Sequence, residues 1–244
     1  MGYRELAAPA APGLACAWVQ TVPASAGRLV QRVVPDGCVD LIWWSPDAEL
    51  MVAGPDTGPM PTPLAPGTTL VGVRFAPGRA VPALGVPADA LRDARVPLGD
   101  LWGASAVRLA ETLAEAVPEP SPAARQADAL IAAVAERVRA AEPVDPIVQP
   151  VVAGLASGAS VRDVADAVGL GERQLRRRAL ASFGYGPKVL QRVLRFQRAL
   201  REARAGRPLA EVALAAGYAD QPHMSHEVRE LAGVPLSALL TPSS

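Results

Sequence analysis

The sequence predicts an α+β N-terminal domain, an antiparallel sheet or small barrel plus helices, followed by an all-α domain with two helix-turn-helix units joined by a long helix. Three observations carry this. The first hundred residues alternate short apolar runs with Pro- and Gly-rich turns, as β-hairpins do. Beyond Val86-Pro87 the apolar residues recur at intervals of three and four, the spacing of helices. A short helical pattern then appears twice, 48 residues apart, each time followed by a turn and a second helix. The chain of 244 residues is long enough for two domains with sizeable cores. With 50% hydrophobic but only 4% aromatic residues, those cores must consist mostly of Ala, Val and Leu, which favours helices.

In chain order, LVQRVV (29–34), CVDLIWW (38–44), ELMVAG (49–54) and TTLVGVRF (68–75) read as strands. Turns separate them: PDG at 35–37, SPDA at 45–48, GPDTGP at 54–59, and APG at 65–67 and 76–78. PADALRDARVPLGDLWG (87–103), SAVRLAETLAEAV (105–117) and SPAARQADALIAAVAERVRAAE (121–142) have helical spacing. The domain boundary is expected near Glu142-Pro143, giving units 1–144 and 145–244. Past it, PVDPIVQPVVAGLASG (143–158) is a Pro-broken helical approach. SVRDVADAV, ERQLRRRALASF, PKVLQRVLRFQRALREARAG, PLAEVALAAG, QPHMSHEVRELAG and PLSALL then read as helices. Gly169, Gly184, Gly206, Gly217 and Gly233 stand where those helices should stop.

The zero net charge conceals an asymmetry. Residues 1–144 carry 11 basic and 15 acidic groups, residues 145–244 carry 13 and 9, and residues 173–207 hold 11 basic groups against Glu202 alone. Such a focused field suits a polyanionic partner. The repeat pairs Val164–Gly169 with Val212–Gly217, placing the units at about 160–182 and 208–232. In the first unit Leu175 and Ala179 should face inward, leaving Arg173, Gln174, Arg176 and Arg177 for base edges and phosphates. In the second, Gln221, His223, Ser225 and His226 surround an inward Met224. Between them a helix over about 187–205 carries Arg192, Arg195, Arg198, Arg201 and Arg204, with Val189, Val193, Phe196 and Leu200 as its apolar stripe. Its length of roughly 25 Å suits reading helices in successive major grooves. The partner expected from these residues is double-stranded DNA.

These residues resemble the AraC/XylS family of bacterial transcription regulators. The resemblance runs through AxxxG at 165–169, LxR at 175–177, GYGP at 184–187 and LAEVALAAGYADQPHMS at 209–225. It implies a DNA-binding regulator in the cytoplasm, with RNA polymerase as a further partner if it activates. The chain departs from the family pattern at Ala179, Met224 and Val228, each usually Phe, at His226, usually Arg, and at Gly171, often a capping Ser; Pro235 arrives one residue early. VVPDGCVDLIW, VAGPDTGP and VGVRFAPG resemble an uncharacterised domain that precedes AraC-type modules in regulators of GC-rich bacteria. By analogy, that domain senses a small-molecule effector, forms a homodimer, or both.

The N-terminal half contains neither histidine of the chain, His223 and His226 both lying in the second unit. Metal-dependent and Ser-His chemistries therefore lack a residue they need there, and no catalytic residue, metal site or cofactor is expected. Asp36, at a PDG turn, should bond its own backbone rather than act with Asp40 as an acid/base pair. Trp43, Trp44, Arg74 and Phe75 are candidates for an apolar ligand pocket with one polar anchor, although in so aromatic-poor a chain the aromatics are first of all the obvious core or interface residues. Adjacent on one strand, Trp43 and Trp44 must point to opposite faces. Cys16 and Cys38 form no disulfide framework. No apolar run is long enough to span a membrane, and no signal-peptide pattern opens the chain. Two alternatives stand beside the regulator: a DNA-localised enzyme acting on a small molecule, and a ligand-free dimeric DNA-binding protein.

Overall fold

The computed structural model describes residues 2–6, 13–27, 29–45, 47–115 and 122–240. Among the described residues its N-terminal part holds eight strands: β1 (Gly2–Leu6), β2 (Leu14–Thr21), β3 (Leu29–Val33), β4 (Val39–Trp44), β5 (Glu49–Ala53), β6 (Met60–Leu64), β7 (Thr69–Phe75) and β8 (Arg95–Pro97). Six form an antiparallel sheet in the order β1-β2-β7-β4-β5-β8, while β3 and β6 pair as a separate two-stranded sheet. Helices α1 (Val81–Leu84), α2 (Leu98–Trp102), α3 (Ala104–Glu115) and α4 (Pro122–Ala140) complete this part.

Strand alternation divides the side chains between two cores. On one face of the large sheet Leu41, Trp43, Val71, Val73 and Phe75 pack with Leu98, Trp102, Leu113, Leu130 and Val134 of the helices. On the other, Cys16, Trp18 and Leu70 meet Leu64 and Leu29 of the small sheet, with Ile42 and Trp44 half-buried beside them. Trp43 and Trp44 thus lie on opposite faces. At Gly72 a Cβ would stand 2.3 Å from the Trp18 ring, so only glycine lets that indole lie flat on the sheet.

The helix expected across 87–103 is broken. A 3-10 turn spans Ala88–Leu91, then Asp93 takes a left-handed conformation (φ 56°) and β8 runs beside β5, Arg95 pairing with Ala53 and Val96 with Val52. Helical spacing failed here because edge pairing won over it and Pro97 lacks the N–H a helix interior needs. The other expected helices are α3 and α4, whose predicted extensions to 116–117 and 121 lie outside the described residues, as does Pro46 of the SPDA turn. Strands β1, β2 and β6 had not been singled out.

The C-terminal part is helical: α5 (Val148–Ala156), α6 (Val161–Ala167), α7 (Glu172–Phe183), α8 (Pro187–Arg204), α9 (Leu209–Ala216), α10 (Gln221–Ala232) and α11 (Leu236–Leu240). One core joins them, including Leu155, Leu175, Phe183, Tyr185, Val193, Phe196, Val212, Met224 and Val228. The five glycines expected to end helices all have positive φ, from 68° to 87°.

The two parts meet along a seam that touches both ends of the helical module. The Arg92 guanidinium donates to the Gly184 carbonyl (3.2 Å), Arg32 to the Ala232 carbonyl (3.4 Å), and Gln197 to the Pro35 carbonyl (2.6 Å). Tyr185 is buried there, its hydroxyl 3.5 Å from where a Cβ on Gly37 would stand.

Candidate nucleic-acid interface

Helix α6 begins with a capping box: the Ser160 hydroxyl accepts from the Asp163 amide (3.1 Å) and the Asp163 carboxylate from the Ser160 amide (3.3 Å). At the next cap Gly171 supplies no hydroxyl, and only the return half is made, the Gln174 side chain accepting from the Gly171 amide at 3.2 Å. Leu175, Ala179 and Phe183 turn inward along α7, while Arg173, Gln174, Arg176 and Arg177 are exposed. Ala179 is fully buried, so the first unit closes around a small side chain at that place. Arg178 stands apart from its neighbours. Its Nε lies 2.8 Å from Asp145 Oδ2, and the same guanidinium reaches the other oxygen, holding the Asp145 carboxyl below the usual range.

In the second unit Asp220 caps α10, accepting from the His223 amide at 2.7 Å, and Pro222 occupies the first turn, where no N–H is missed. Met224, Val228 and Leu231 are buried; Gln221, His223 and His226 are exposed and Ser225 half-buried. His223 is turned back on its own loop. Its Nδ1 accepts from the Ala219 amide (3.4 Å) and its ring meets Tyr218 edge-on at 5.3 Å. His226 Nε2 lies 3.2 Å from Glu230 Oε1.

Helix α8 links the units with 18 residues, about 27 Å at 1.5 Å per residue. Leu190, Val193, Phe196 and Leu200 form its buried stripe, Val189 being half-buried. Two of its arginines serve a structural end. Glu227, only 8% exposed, receives Arg192 Nε at 3.1 Å and Arg195 Nε at 3.0 Å, and Arg192 also reaches Glu230. Arg195 lies over the Tyr218 ring at 4.5 Å. Burial pushes the Glu227 carboxyl up, but the two guanidinium groups outweigh it and hold the carboxyl below its ordinary value. Sequence reasoning passed over this anchor. The available signal was helical spacing, since Glu227 follows Met224 by three and precedes Leu231 by four, on the buried face.

The four N-terminal candidates do not gather at one place. Trp43 and Phe75 are sealed in the helix-side core, whereas Trp44 and Arg74 lie on the other face of the sheet. Arg74 forks onto Asp40 (2.9 Å twice) and reaches Asp36 at 3.5 Å. Asp36 accepts from the Cys38 amide at 2.8 Å, the local bond its turn position calls for. Burial pushes the Asp36 carboxyl and the Cys38 thiol up, Asp40 and Asp36 respectively adding to the effect. A depression of about 400 Å³ lined by Leu29, Val30, Pro63, Leu64 and Ala65 opens on the small sheet. Among the described residues no three His, Cys, Asp or Glu side chains are grouped to hold a metal ion, and no helix is long and apolar enough to cross a membrane.

A family model described as a domain of unknown function, DUF6597, matches residues 7–97, and one described as a helix-turn-helix domain matches residues 164–241. No curated protein matches the chain. Among solved structures, an apo variant of ToxT from Vibrio cholerae is 11% identical with a TM-score of 0.51, the match covering 95% of this chain and 98% of that one. A ToxT structure from the same strain with an unsaturated fatty acid bound is 10% identical with a TM-score of 0.48, covering 95% and 96%. The apo structure shows the same two-part fold. With α7 and α10 each presenting a polar face above a buried one, and the helix-turn-helix match over both units, the chain is a DNA-binding transcriptional regulator that carries an AraC-type helix-turn-helix module behind a DUF6597 domain.

Proposed function

We propose that α7 and α10 read two successive major grooves of one DNA site. The observation that carries this is the division of α7: Leu175, Ala179 and Phe183 hold it to the module, while Arg173, Arg176 and Arg177 are exposed and, among the described residues, without acidic partners. Arginine at that place forks onto guanine O6 and N7 or grips a phosphate. Gln174 spends its oxygen on the helix cap, so it contributes its amide hydrogens at most. On α10, Gln221, Ser225 and His226 face the second groove; His223, turned to Tyr218, offers Nε2. With the α7 helix carrying the positive charge and α10 nearly neutral, the first unit supplies more of the electrostatic affinity.

The N-terminal domain controls this module through the seam. Its effector is a small molecule with a mostly apolar surface, and the depression beside Leu29 and Leu64, continuous with the cluster around Trp18 and Trp44, is where it fits. In this reading the protein acts in the bacterial cytoplasm as a homodimer and activates by contact with RNA polymerase.

The test is selection of duplexes from a randomised pool by the full chain, followed by fluorescence anisotropy on the selected site. Two conserved elements about one helical turn apart are expected. Enrichment of no sequence over a scrambled duplex refutes specific reading. A thermal-shift screen of small apolar metabolites checks the effector, a bound compound raising Tm with its concentration.

A further inference from the structure

The turn Gly54–Pro59, GPDTGP, lies between β5 and β6, far in sequence from both helix-turn-helix units. It nevertheless meets the C-terminal ends of α7 and α10. A Cβ on Gly184, the residue that ends α7, would stand 2.5 Å from Pro55 Cγ and 3.1 Å from the Ala88 carbonyl oxygen. A Cβ on Gly233, which ends α10, would stand 3.2 Å from Pro59 Cγ and 3.3 Å from Arg32 Nη1. Each helix therefore ends in a bare left-handed glycine with a proline ring of the same turn seated on it.

The turn is built to be stiff. Asp56, 6% exposed, takes both arms of Arg95, at 2.9 and 2.8 Å. Thr57 gives its amide (2.6 Å) and hydroxyl (2.9 and 3.0 Å) to Asp93. The Asp93 amide donates back to the Pro55 carbonyl at 3.2 Å, closing the loop on itself. Asp93 itself takes a left-handed conformation, φ 56°, which an aspartate tolerates better than most residues. A Cβ on Gly54 would stand 1.6 Å from the Leu91 carbonyl oxygen, so this end of the turn lies backbone to backbone on the 3-10 segment.

We infer that the GPDTGP turn is a positioning element for DNA recognition: Pro55 and Pro59, braced by Asp56–Arg95 and Thr57–Asp93, set the distance and angle between the two reading helices. This rests on α7 and α10 being the reading helices. Both helices also pack on α8, α10 through the Glu227 anchor as well, and the turn ties their C-terminal ends to each other. The N-terminal domain thereby fixes the spacing that the helical module accepts on DNA, and any change in the 91–95 segment reaches both helices at once.

Spacing tolerance is the readout, because one base pair moves the second element by about 3.4 Å and 34°. The full chain, wild type and Pro55→Ala/Pro59→Ala, is tested by anisotropy on the wild type's selected duplex and on duplexes with one base pair added or removed between the elements. Wild type is expected to lose about tenfold or more per base pair, and the double variant no more than about threefold, with binding to the original duplex retained within about fivefold. Thr57→Val, which removes only the hydroxyl bonds to Asp93, is expected to move the same way by less, and decides the matter if the double variant does not fold. A variant as intolerant as wild type overturns the inference, and so does an equal loss at every spacing, which marks a role in folding alone. If wild type itself selects a one-part site, the two-groove reading fails and the positioning role with it; a two-part site with unchanged tolerance in the variants refutes only the latter.

Discussion

Arg173, Arg176 and Arg177 share an exposed face of α7, and what each contributes is separable by measurement. Arg173→Ala is expected to cost about 1–3 kcal/mol and to relax preference at one base pair if the guanidinium makes a bidentate base contact. An equal loss on every duplex, by anisotropy, marks a phosphate contact instead. Arg178 shows why position in a cluster does not settle a role. One residue further on, it is tied to Asp145 and serves the fold. Glu227 is the corresponding case on α10. Replacing it by Gln keeps the shape and loses the charge that two arginines require, at about 1.5–3 kcal/mol near neutral pH. Because those arginines hold its carboxyl below the ordinary value, the native chain binds that proton more weakly than the unfolded chain does. The stabilisation is therefore full above the unfolded value of about 4.3 and is lost as pH falls through the lower folded one. Thermal melts of wild type and Glu227→Gln are expected to be well separated at pH 7 and to converge in acid.

Among the elements, the ends of α7 and α10 are the most exacting. Gly184 has φ 83° and no room toward Pro55, so Gly184→Ala combines left-handed strain with a collision. A loss of about 1–3 kcal/mol is expected in chemical denaturation. Gly217, with the same handedness but open space around it, should cost only the strain when substituted. The helices of the C-terminal part were legible in the sequence because their signals are local: apolar spacing, and glycines at the stops. Four of the eight strands were legible for the same reason. Strand β6, MPTPL, was not, since two prolines argue against a strand except at an edge, and only its pairing with β3 makes it one. Likewise β8 exists because β5 has a free side, which no property of residues 95–97 announces. The face of α7 was readable from i, i+4 spacing. The Glu227 anchor and the seat of Pro55 and Pro59 join residues far apart in sequence, and nothing local marks them.

At the scale of the whole molecule, one core runs through both helix-turn-helix units and the seam ties that core to the sheet domain. This arrangement also settles how much of the chain's positive charge is available to DNA. Of the eleven basic residues in 173–207, Arg178, Arg192, Arg195 and Arg207 are paired with acids. Among the described residues seven of these are left, and together they contribute at most about −6 to the slope of the logarithm of affinity against the logarithm of salt. Glu227, with Glu230, withholds two guanidinium groups from the exchange of counterions that drives binding to any duplex. Because Arg192 keeps Glu230, Glu227→Gln should free Arg195 and steepen that slope by up to about 1, raising affinity for arbitrary sequence at low salt. The carboxylate that ties the second helix to α8 thus also keeps a guanidinium group out of the pool that would grip any duplex regardless of sequence.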